Sequence, residues 1–240
     1  MPRDVQTSSP AAETREWHWP SSEHSSIVTR AHTALRVVEL LGVFFLLPAG
    51  LYLLREWEQP VPTIPALLVV TAGLAVLLWR DPAFHLRRAL RWRWAQREAL
   101  RVLVFFVLGA VALTWYTVAS EPERFLAFPR TKPVLWAAVM VLYPLLSVLP
   151  QELVFRVFFF HRYRTILPGV PVRILTSALA FGFAHVVFDN WTSVILTTVG
   201  GLLFGWTYAR RPVVWLVAIE HALYGCFLFT VGLGVYFYQG

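Results

Sequence analysis

The chain has 240 residues, of which 57% are hydrophobic and only 15% are charged, whereas average soluble domains carry about 25% charged residues. This composition argues against a soluble globular protein and against a disordered one. The net charge of +7 does not indicate nucleic-acid binding, because the basic residues lie between long apolar segments and are typical of membrane topology signals.

Residues 1–31 form a polar N-terminal segment that is rich in Ser, Glu and His. No apolar stretch follows Met1, so the segment lacks the pattern of a cleaved signal peptide. We predict a disordered cytoplasmic tail here and a transmembrane helical domain over residues 32–240.

Seven apolar segments follow the tail, and each has roughly the length needed to cross a hydrocarbon core about 30 Å thick. The backbone of a membrane span must satisfy its own hydrogen bonds, and the segments lack the alternation of barrel strands, so helices are expected. The predicted fold is therefore all-α, a polytopic transmembrane helix bundle of about seven spans. The predicted spans are 33–54, 62–79, 102–119, 134–160, 174–189, 192–209 and 213–238.

The basic residues indicate which side of the membrane each loop faces. With a cytoplasmic tail and alternating spans, 16 basic residues lie on the cytoplasmic side, four lie on the opposite side, and Arg36 lies within the first span. We therefore expect an integral protein of a bacterial-type inner (plasma) membrane, with a cytoplasmic N-terminus and an outer C-terminus. The basic loop 80–101 also carries Trp92 and Trp94, which favours an interfacial anchor over a specific site for anionic lipid.

Few ionisable residues lie within the predicted spans, and each needs a reason because a charge in the membrane is costly. Arg36 and Glu39 are three residues apart, so a helical ion pair near the end of the first span explains them. Glu152 and Arg156 are four residues apart, so they share a helix face and can also pair. Gln151 precedes Glu152 as a neutral polar group.

Two histidines in later spans share a depth with Glu152. His185 follows Phe181 by one turn. His221 is followed one turn later by Gly225, which leaves space for close packing or for a bound molecule. At about 1.5 Å per residue, Glu152, His185 and His221 lie about 13, 18 and 13 Å from the cytoplasmic ends of their spans. Three helices thus place polar groups in one layer, which favours a common site.

A pair of small residues lies in the sixth span. Gly201 and Gly205 form a small-xxx-small pattern, which allows two helix backbones to approach closely. We interpret the pattern as close packing within the bundle rather than as a dimer interface.

A glutamate and two histidines are suited to two kinds of chemistry. A carboxylate and an imidazole can polarise water for attack on a carbonyl, and a second imidazole can stabilise the oxyanion. The same three groups also form a zinc ligand set with one open position, although the HExxH helix motif is absent. No GxSxG motif or Ser–Lys pair indicates a serine nucleophile.

The order of these motifs resembles the CPBP family, the CAAX protease and bacteriocin-processing group that is also called ABI. The members of this family are glutamate-type intramembrane endopeptidases. The family pattern usually begins with two glutamates, whereas the first position here is Gln151, and an Asn-type residue often stands where this chain has Gly225. The similar positions, within about residues 134–230, are Gln151, Glu152, Arg156, Phe181, His185 and His221.

The resemblance implies an intramembrane endopeptidase whose catalytic core is 134–230 and whose substrate is a membrane-associated peptide or a lipidated protein. It implies that Glu152 and His185 activate water. It also implies that His221 stabilises the oxyanion and that Arg156 holds Glu152 ionised and oriented. We expect no cofactor, with zinc as the open alternative, and no nucleic-acid partner.

Two other functions remain open on the sequence alone. Gln151 cannot act as a general base, so one alternative is a catalytically silent membrane protein that retains the family cavity and binds or protects a partner. The other is a small transporter that uses Glu152 and the two histidines as a proton relay. No inverted repeat of the kind found in transporters is visible.

Overall fold

A computed structural model describes residues 24–57, 62–90 and 96–237. The first helix begins at His24, so it includes residues 24–31 of the segment that we assigned to the tail, whereas residues 1–23 lie outside the described part. Trp92 and Trp94, which we assigned to an interfacial anchor, also lie outside it. Within the described ranges every regular element is a helix, which confirms the all-α prediction.

Seven long helices run through the described residues. They are α1 (whose candidate span His32–Arg55 lies within the helix that begins at His24), α2 (Thr63–Trp79), α3 (Gln96–Ser120), α4 (Pro133–Arg162), α5 (Val170–Phe188), α6 (Trp191–Arg210) and α7 (Val214–Val231). Six of them are long and apolar enough to cross a membrane, and α2, with 17 residues, is a shorter apolar helix. The protein is therefore an integral membrane protein, and the prediction of about seven spans is consistent with this set.

Local sequence signals explain where several helices begin and end. Pro133 begins α4, in the first turn, where a backbone N–H would have no partner within the helix and its absence from proline costs little. Asn190 caps α6, since its side chain accepts a hydrogen bond from the backbone N–H of Ser193 at 2.8 Å. Gly232 ends α7 with a φ of 105°, a conformation that glycine adopts without strain. The last span thus ends at Val231, earlier than the predicted limit of 238, and a 3₁₀ turn, Leu233–Phe237, follows it.

Three stretches of the long helices are wound as π-helix. One lies in α1, at Gly42–Leu46. The other two lie in α4, at Pro144–Val148 and Leu153–Phe158, one on each side of Glu152. A π turn inserts a residue into the α-helical repeat and changes which residues share a face, and such turns are frequent at functional sites.

Small residues bring α5 and α6 into close contact. A Cβ atom on Gly201 would lie 2.9 Å from Cα of Ala178, and one on Gly205 would lie 3.3 Å from Cγ2 of Ile174. The two backbones therefore approach to a distance that a larger residue would not allow. This contact within the chain confirms that the Gly201–Gly205 pattern packs inside the bundle.

The second half of α4 lies at the centre of the core. Phe155, Phe158 and Phe159 are buried and contact the ring of Phe44 on α1, with centroid distances from 5.1 to 6.5 Å. Aromatic pairs at these distances add to the free energy of burial. This packing holds α4 rigidly in the middle of the helices that carry the predicted site residues.

An ion pair ties α1 to the end of α4. The predicted pair of Arg36 and Glu39 is present at 3.7 Å. Glu39 also accepts two hydrogen bonds from the guanidinium of Arg162, at 2.8 and 2.6 Å. Since a bidentate contact is the stronger of the two, the main role of Glu39 is to join two helices.

Candidate active site

Glu152 and Arg156 form a fully buried pair on α4. Both side chains have an exposed fraction of 0%, and Nε of Arg156 lies 3.2 Å from Oε2 of Glu152. Their separation of four residues places them on adjacent turns, as the sequence predicts. The contact is an ion pair without a hydrogen bond, since Nε, Nη1 and Nη2 of Arg156 have no hydrogen-bond partner among the described residues. Loss of either member would leave the other charge buried and unpaired, which is strongly unfavourable.

His221 brings α7 to the same carboxylate. Its Nδ1 lies 2.8 Å from Oε1 of Glu152. A carboxylate only accepts hydrogen bonds, so with Glu152 ionised the proton is on Nδ1 and the opposite nitrogen, Nε2, is left as an acceptor. The sequence predicts that Glu152 and His221 lie at about the same depth, and in the structure their side chains are in direct contact.

Tyr143 completes this cluster and was not predicted from the sequence. Its hydroxyl lies 3.4 Å from Nε2 of His221, and a Cβ atom on Gly225 would collide with its ring and hydroxyl. Gly225 therefore provides the space through which Tyr143 approaches His221. The glycine was noted in the sequence as an opening, but nothing in the pattern indicated which side chain fills it.

Aromatic rings surround the charged groups. The guanidinium of Arg156 lies 4.6 Å from the ring centroid of Phe181 and 5.5 Å from that of Phe204, in cation–π contacts. Phe204 also stacks on the imidazole of His221 at 4.6 Å. Three helices thus enclose the Glu152 pair in an environment of low polarity, where charge interactions are strong.

His185 lies one turn away from this cluster, at the start of the 3₁₀ turn that ends α5. Its Nδ1 donates to the carbonyl of Phe181 at 2.7 Å, which leaves Nε2 as an acceptor in the neutral ring. Its ring lies 4.8 Å from that of Phe181, which in turn lies 5.5 Å from His221. In the part of the chain that the structure describes, no hydrogen bond joins His185 to Glu152.

Gln151 makes its hydrogen bond to a residue of its own helix. Its amide Nε2 donates to Oγ of Ser147 at 2.8 Å, while its buried Oε1 has no hydrogen-bond partner among the described residues. The first position of the motif is therefore a neutral amide held by its own helix. It contributes no charge to the site.

A short segment covers the site at the end of α7. The ring of Phe237, in the 3₁₀ turn after Gly232, lies 6.1 Å from His185. Asn190 holds this turn in place, since its side-chain N–H donates to the carbonyl of Tyr236 at 2.9 Å. One side of His185 is thus closed by the C-terminal part of the chain.

Glu152, His185 and His221, which could together hold a zinc ion, do not meet at one point in the structure. Within residues 24–57, 62–90 and 96–237, no three His, Cys, Asp or Glu side chains are grouped closely enough to hold a metal ion. Glu152 and His221 are in contact, but His185 is separated from them by Phe181. The expectation of no cofactor remains a prediction.

Comparison with known protein families identifies the part of the chain that contains the site. Residues 133–227, which are 95 of the 240, match the family described as type II CAAX prenyl endopeptidase Rce1-like. The matched segment extends from the start of α4 into α7 and confirms the resemblance inferred from the motifs. Comparisons with curated proteins and with solved structures gave no significant match.

Proposed function

Since residues 133–227 match the CAAX prenyl endopeptidase family, we propose that this protein is an intramembrane endopeptidase. Its substrate is a membrane-associated peptide or protein with a lipidated tail, as the family description suggests. The observation that carries this proposal is the contact between Nδ1 of His221 and Oε1 of Glu152, at 2.8 Å within a fully buried cluster. A carboxylate that orients an imidazole in this way is suited to general-base catalysis.

The chemistry begins with the attack of water on the scissile carbonyl. The water oxygen forms a bond to the carbonyl carbon, the π electrons move to the carbonyl oxygen, and one water proton passes to the Glu152–His221 pair. His185 also offers an unprotonated Nε2, which supports a role in orienting the water. This assignment retains the predicted use of His185 with Glu152 but makes His221 the direct partner of the carboxylate.

The tetrahedral oxyanion that forms is stabilised by hydrogen-bond donors directed at its oxygen. The hydroxyl of Tyr143 lies beside Nε2 of His221, and that nitrogen also becomes a donor once the imidazole has gained a proton. In this proposal His221 keeps the role in oxyanion stabilisation that the resemblance implies, after it has helped to accept the proton. Collapse of the oxyanion then re-forms the carbonyl and breaks the C–N bond, while the pair returns its proton to the leaving amine and is restored.

A cleavage assay on the purified full-length protein in lipid vesicles tests the proposal. The probe is a peptide with a farnesylated cysteine three residues before its C-terminus, and mass spectrometry measures release of the C-terminal tripeptide. We expect Glu152→Gln and His221→Ala to lower kcat/KM by about 100-fold or more, a typical contribution of general acid–base groups. Glu123→Gln, an identical change at an exposed site, serves as the matched control.

Three other results would contradict the proposal. Full activity of Glu152→Gln would remove the carboxylate from the mechanism. Retention of the intact probe by a wild-type protein that never cleaves it would support the catalytically silent binding alternative, in which Gln151 has replaced the first glutamate. Loss of cleavage in a chelator, with recovery on addition of zinc, would support the zinc alternative.

A further inference from the structure

An apolar cavity lies between α2, the second half of α4 and the segment that follows α2. Its volume is about 360 Å³, which is within the usual range for sites that bind small molecules. On α4 the cavity is lined by Leu153, Val154, Val157 and Phe158, which belong to the π-helical stretch after Glu152. Of the described residues that line it, none belongs to the candidate active site. The cavity is therefore a separate feature of the molecule.

The lining is suited to an apolar occupant. Among the described residues that line the cavity, Thr71 has the only hydroxyl group, and this hydroxyl donates to the carbonyl of Leu67 at 2.7 Å. The other lining residues are aliphatic or aromatic. Water does not fill an apolar cavity, whereas a hydrocarbon can. A hydrocarbon chain is therefore the kind of molecule that fits this space.

The cavity starts near the end of α2 and continues along that helix. Val76 and Trp79 are 44% and 78% exposed, so the lining reaches the outer surface of the protein. Exposed tryptophans at the ends of spans lie at the level of the lipid headgroups. From Trp79 the lining continues to Thr71, eight residues or about 12 Å along the helix. A chain that enters beside Trp79 would thus lie within the hydrocarbon region, as a lipid acyl chain does.

Positive charge lies beside this entrance. Arg80 directly follows Trp79, and Arg87 lies in the segment between the lining residues Phe84 and Ala89. Both arginines are exposed, and their guanidinium groups have no hydrogen bond or ion pair within the described part of the chain. Two such groups at the level of the headgroups are complementary to the phosphate of an anionic lipid.

The segment that carries these arginines is fixed to the rest of the protein. Asp81, the one acidic residue of segment 80–90, contacts His161 of α4 at 3.0 Å. Nε1 of Trp215 on α7 donates to the carbonyl of Leu90 at 2.9 Å. With three arginines, the segment keeps a net positive charge. Contacts at both of its ends hold it in place, so the site is formed before a ligand binds.

We propose that the cavity binds one anionic phospholipid, with an acyl chain between α2 and α4 and with its phosphate beside Arg80 and Arg87. The basic loop alone favours an interfacial anchor, and the apolar cavity next to its arginines is what indicates a specific site. The chain packs against Val154 and Phe158, so the lipid stabilises the π-helical stretch that follows Glu152. The site is independent of the proposed cleavage reaction.

Native mass spectrometry of the full-length protein in a neutral detergent tests the site, with phosphatidylglycerol as the probe. We expect the wild-type protein to bind one molecule, and Ala75→Trp to bind it about 10-fold or more weakly, because the indole takes the place of several methylene groups. Ala72→Trp is the matched control, since Ala72 is exposed on the same helix and is not among the residues that line the cavity. Wild-type affinity in Ala75→Trp would overturn the proposal.

A comparison of two lipids with identical acyl chains tests the contact with the headgroup. The wild-type protein should bind phosphatidylglycerol about 10-fold or more tightly than phosphatidylcholine, since each arginine near the surface attracts an anionic headgroup. Arg80→Gln together with Arg87→Gln should remove this preference, whereas Arg130→Gln, at an exposed site outside segment 80–90, should retain it. These variants change only exposed side chains. Equal affinity of the wild-type protein for the two lipids would overturn the proposal.

The lipid tail of the proposed substrate is the alternative occupant of the cavity. Displacement of phosphatidylglycerol by the farnesylated peptide would indicate that occupant and would overturn the proposal. Thermal unfolding provides a second readout, because a ligand that binds only the folded protein raises its Tm. We expect phosphatidylglycerol to raise the Tm of the wild type and of Ala72→Trp but not that of Ala75→Trp. An equal rise in all three proteins would indicate general solvation by lipid and would overturn the specific site.

Discussion

The hydroxyl of Tyr143 reaches His221 because residue 225 has no side chain. The spacing of one turn singles out His221 and Gly225 of α7 in the sequence. Tyr143, which is 78 positions before His221, could not be predicted, because spacing within one helix does not indicate which face of another helix lies opposite. The space at Gly225 was thus predictable from the sequence, whereas the side chain that fills it, Tyr143, was not.

This contact makes Gly225→Ala an informative substitution. The new methyl group would collide with the ring and hydroxyl of Tyr143, so the tyrosine must move away from His221. Overpacking of this kind costs about 1–3 kcal/mol. We therefore expect a lower Tm in detergent and a lower kcat in the cleavage assay.

Gly73→Ala is the matched control, since Gly73 also lies within an apolar helix but has no heavy atom within 4 Å of the position that a Cβ atom would occupy. Alanine is favoured over glycine in a helix by about 1 kcal/mol, so this variant should be as stable as the wild type or more so. Equal behaviour of the two variants in both assays would show that Tyr143 does not depend on the space at Gly225.

At the scale of the helices, a hydrogen bond connects the segment after α2 to the end of α4. Nε2 of His161 donates to Oδ2 of Asp81 at 3.0 Å, and Oδ1 of Asp81 accepts from the backbone N–H of Ala83 at 2.9 Å. Burial raises the pKa of Asp81, but the two hydrogen bonds lower this pKa by a larger amount. The pKa of Asp81 therefore lies below the usual 3.8. The ionised carboxylate is thus favoured by folding.

The sign of this shift determines how the contact responds to pH. A carboxyl whose pKa is lowered by folding stabilises the protein above its usual pKa, and the contribution is lost as the pH falls through the lowered value. We expect Asp81→Asn, which keeps an acceptor for Ala83, to lower the Tm at neutral pH. The difference from the wild type should shrink when the pH falls below 3.8.

Thermal unfolding of both proteins over this pH range measures the effect. A difference in Tm that stays constant into acid would mean that the charge of Asp81 contributes nothing.

The helix boundaries were largely predictable because the membrane sets the length of each span. The predicted end of the last span, residue 238, lies beyond the observed end of α7 at Val231. The reason is that apolar residues such as Val235 continue after the turn at Gly232. Hydropathy does not report the positive φ that ends α7. The π segments of α4 were also not predictable, because hydropathy and residue spacing do not report how a helix is wound.

Counting residues along a span gives a predicted depth for His185 in the membrane. Its predicted depth was about 5 Å greater than that of Glu152, which is close to one helical turn of 5.4 Å. In the structure Phe181, one turn before His185, lies against Arg156 and His221. The depth stays a prediction, and the partner of Glu152 could not be predicted because it depends on how the helices rotate about their axes.

At the scale of the whole molecule, the number of crossings determines where the two ends lie. Six helices have the length and composition of full spans, and α2 has 17 residues, or about 25 Å at 1.5 Å per residue. If α2 also crosses the membrane, the ends of the chain lie on opposite sides. If it does not, they lie on the same side.

A reporter enzyme that is active only outside the cytoplasm, fused after Gly240 in bacterial cells, distinguishes the two arrangements. We expect activity, because the distribution of basic residues predicts an outer C-terminus after seven crossings. A second fusion within the loop 80–101, which carries seven of the basic residues, should be inactive. An inactive C-terminal fusion that is expressed at the same level would indicate six crossings.

The two π turns that flank Glu152 also affect how sequence variation in this segment is interpreted. A π turn holds one more residue than the α turn that it replaces, so deletion of one residue between Pro144 and Val148 can restore α-helical winding with little rotation of Tyr143 relative to Glu152. The same deletion in a regular α-helical part of α4 would instead turn the preceding residues by about 100°. A one-residue gap in an alignment at Pro144–Val148 is therefore compatible with the same site geometry, whereas a gap elsewhere in α4 is not.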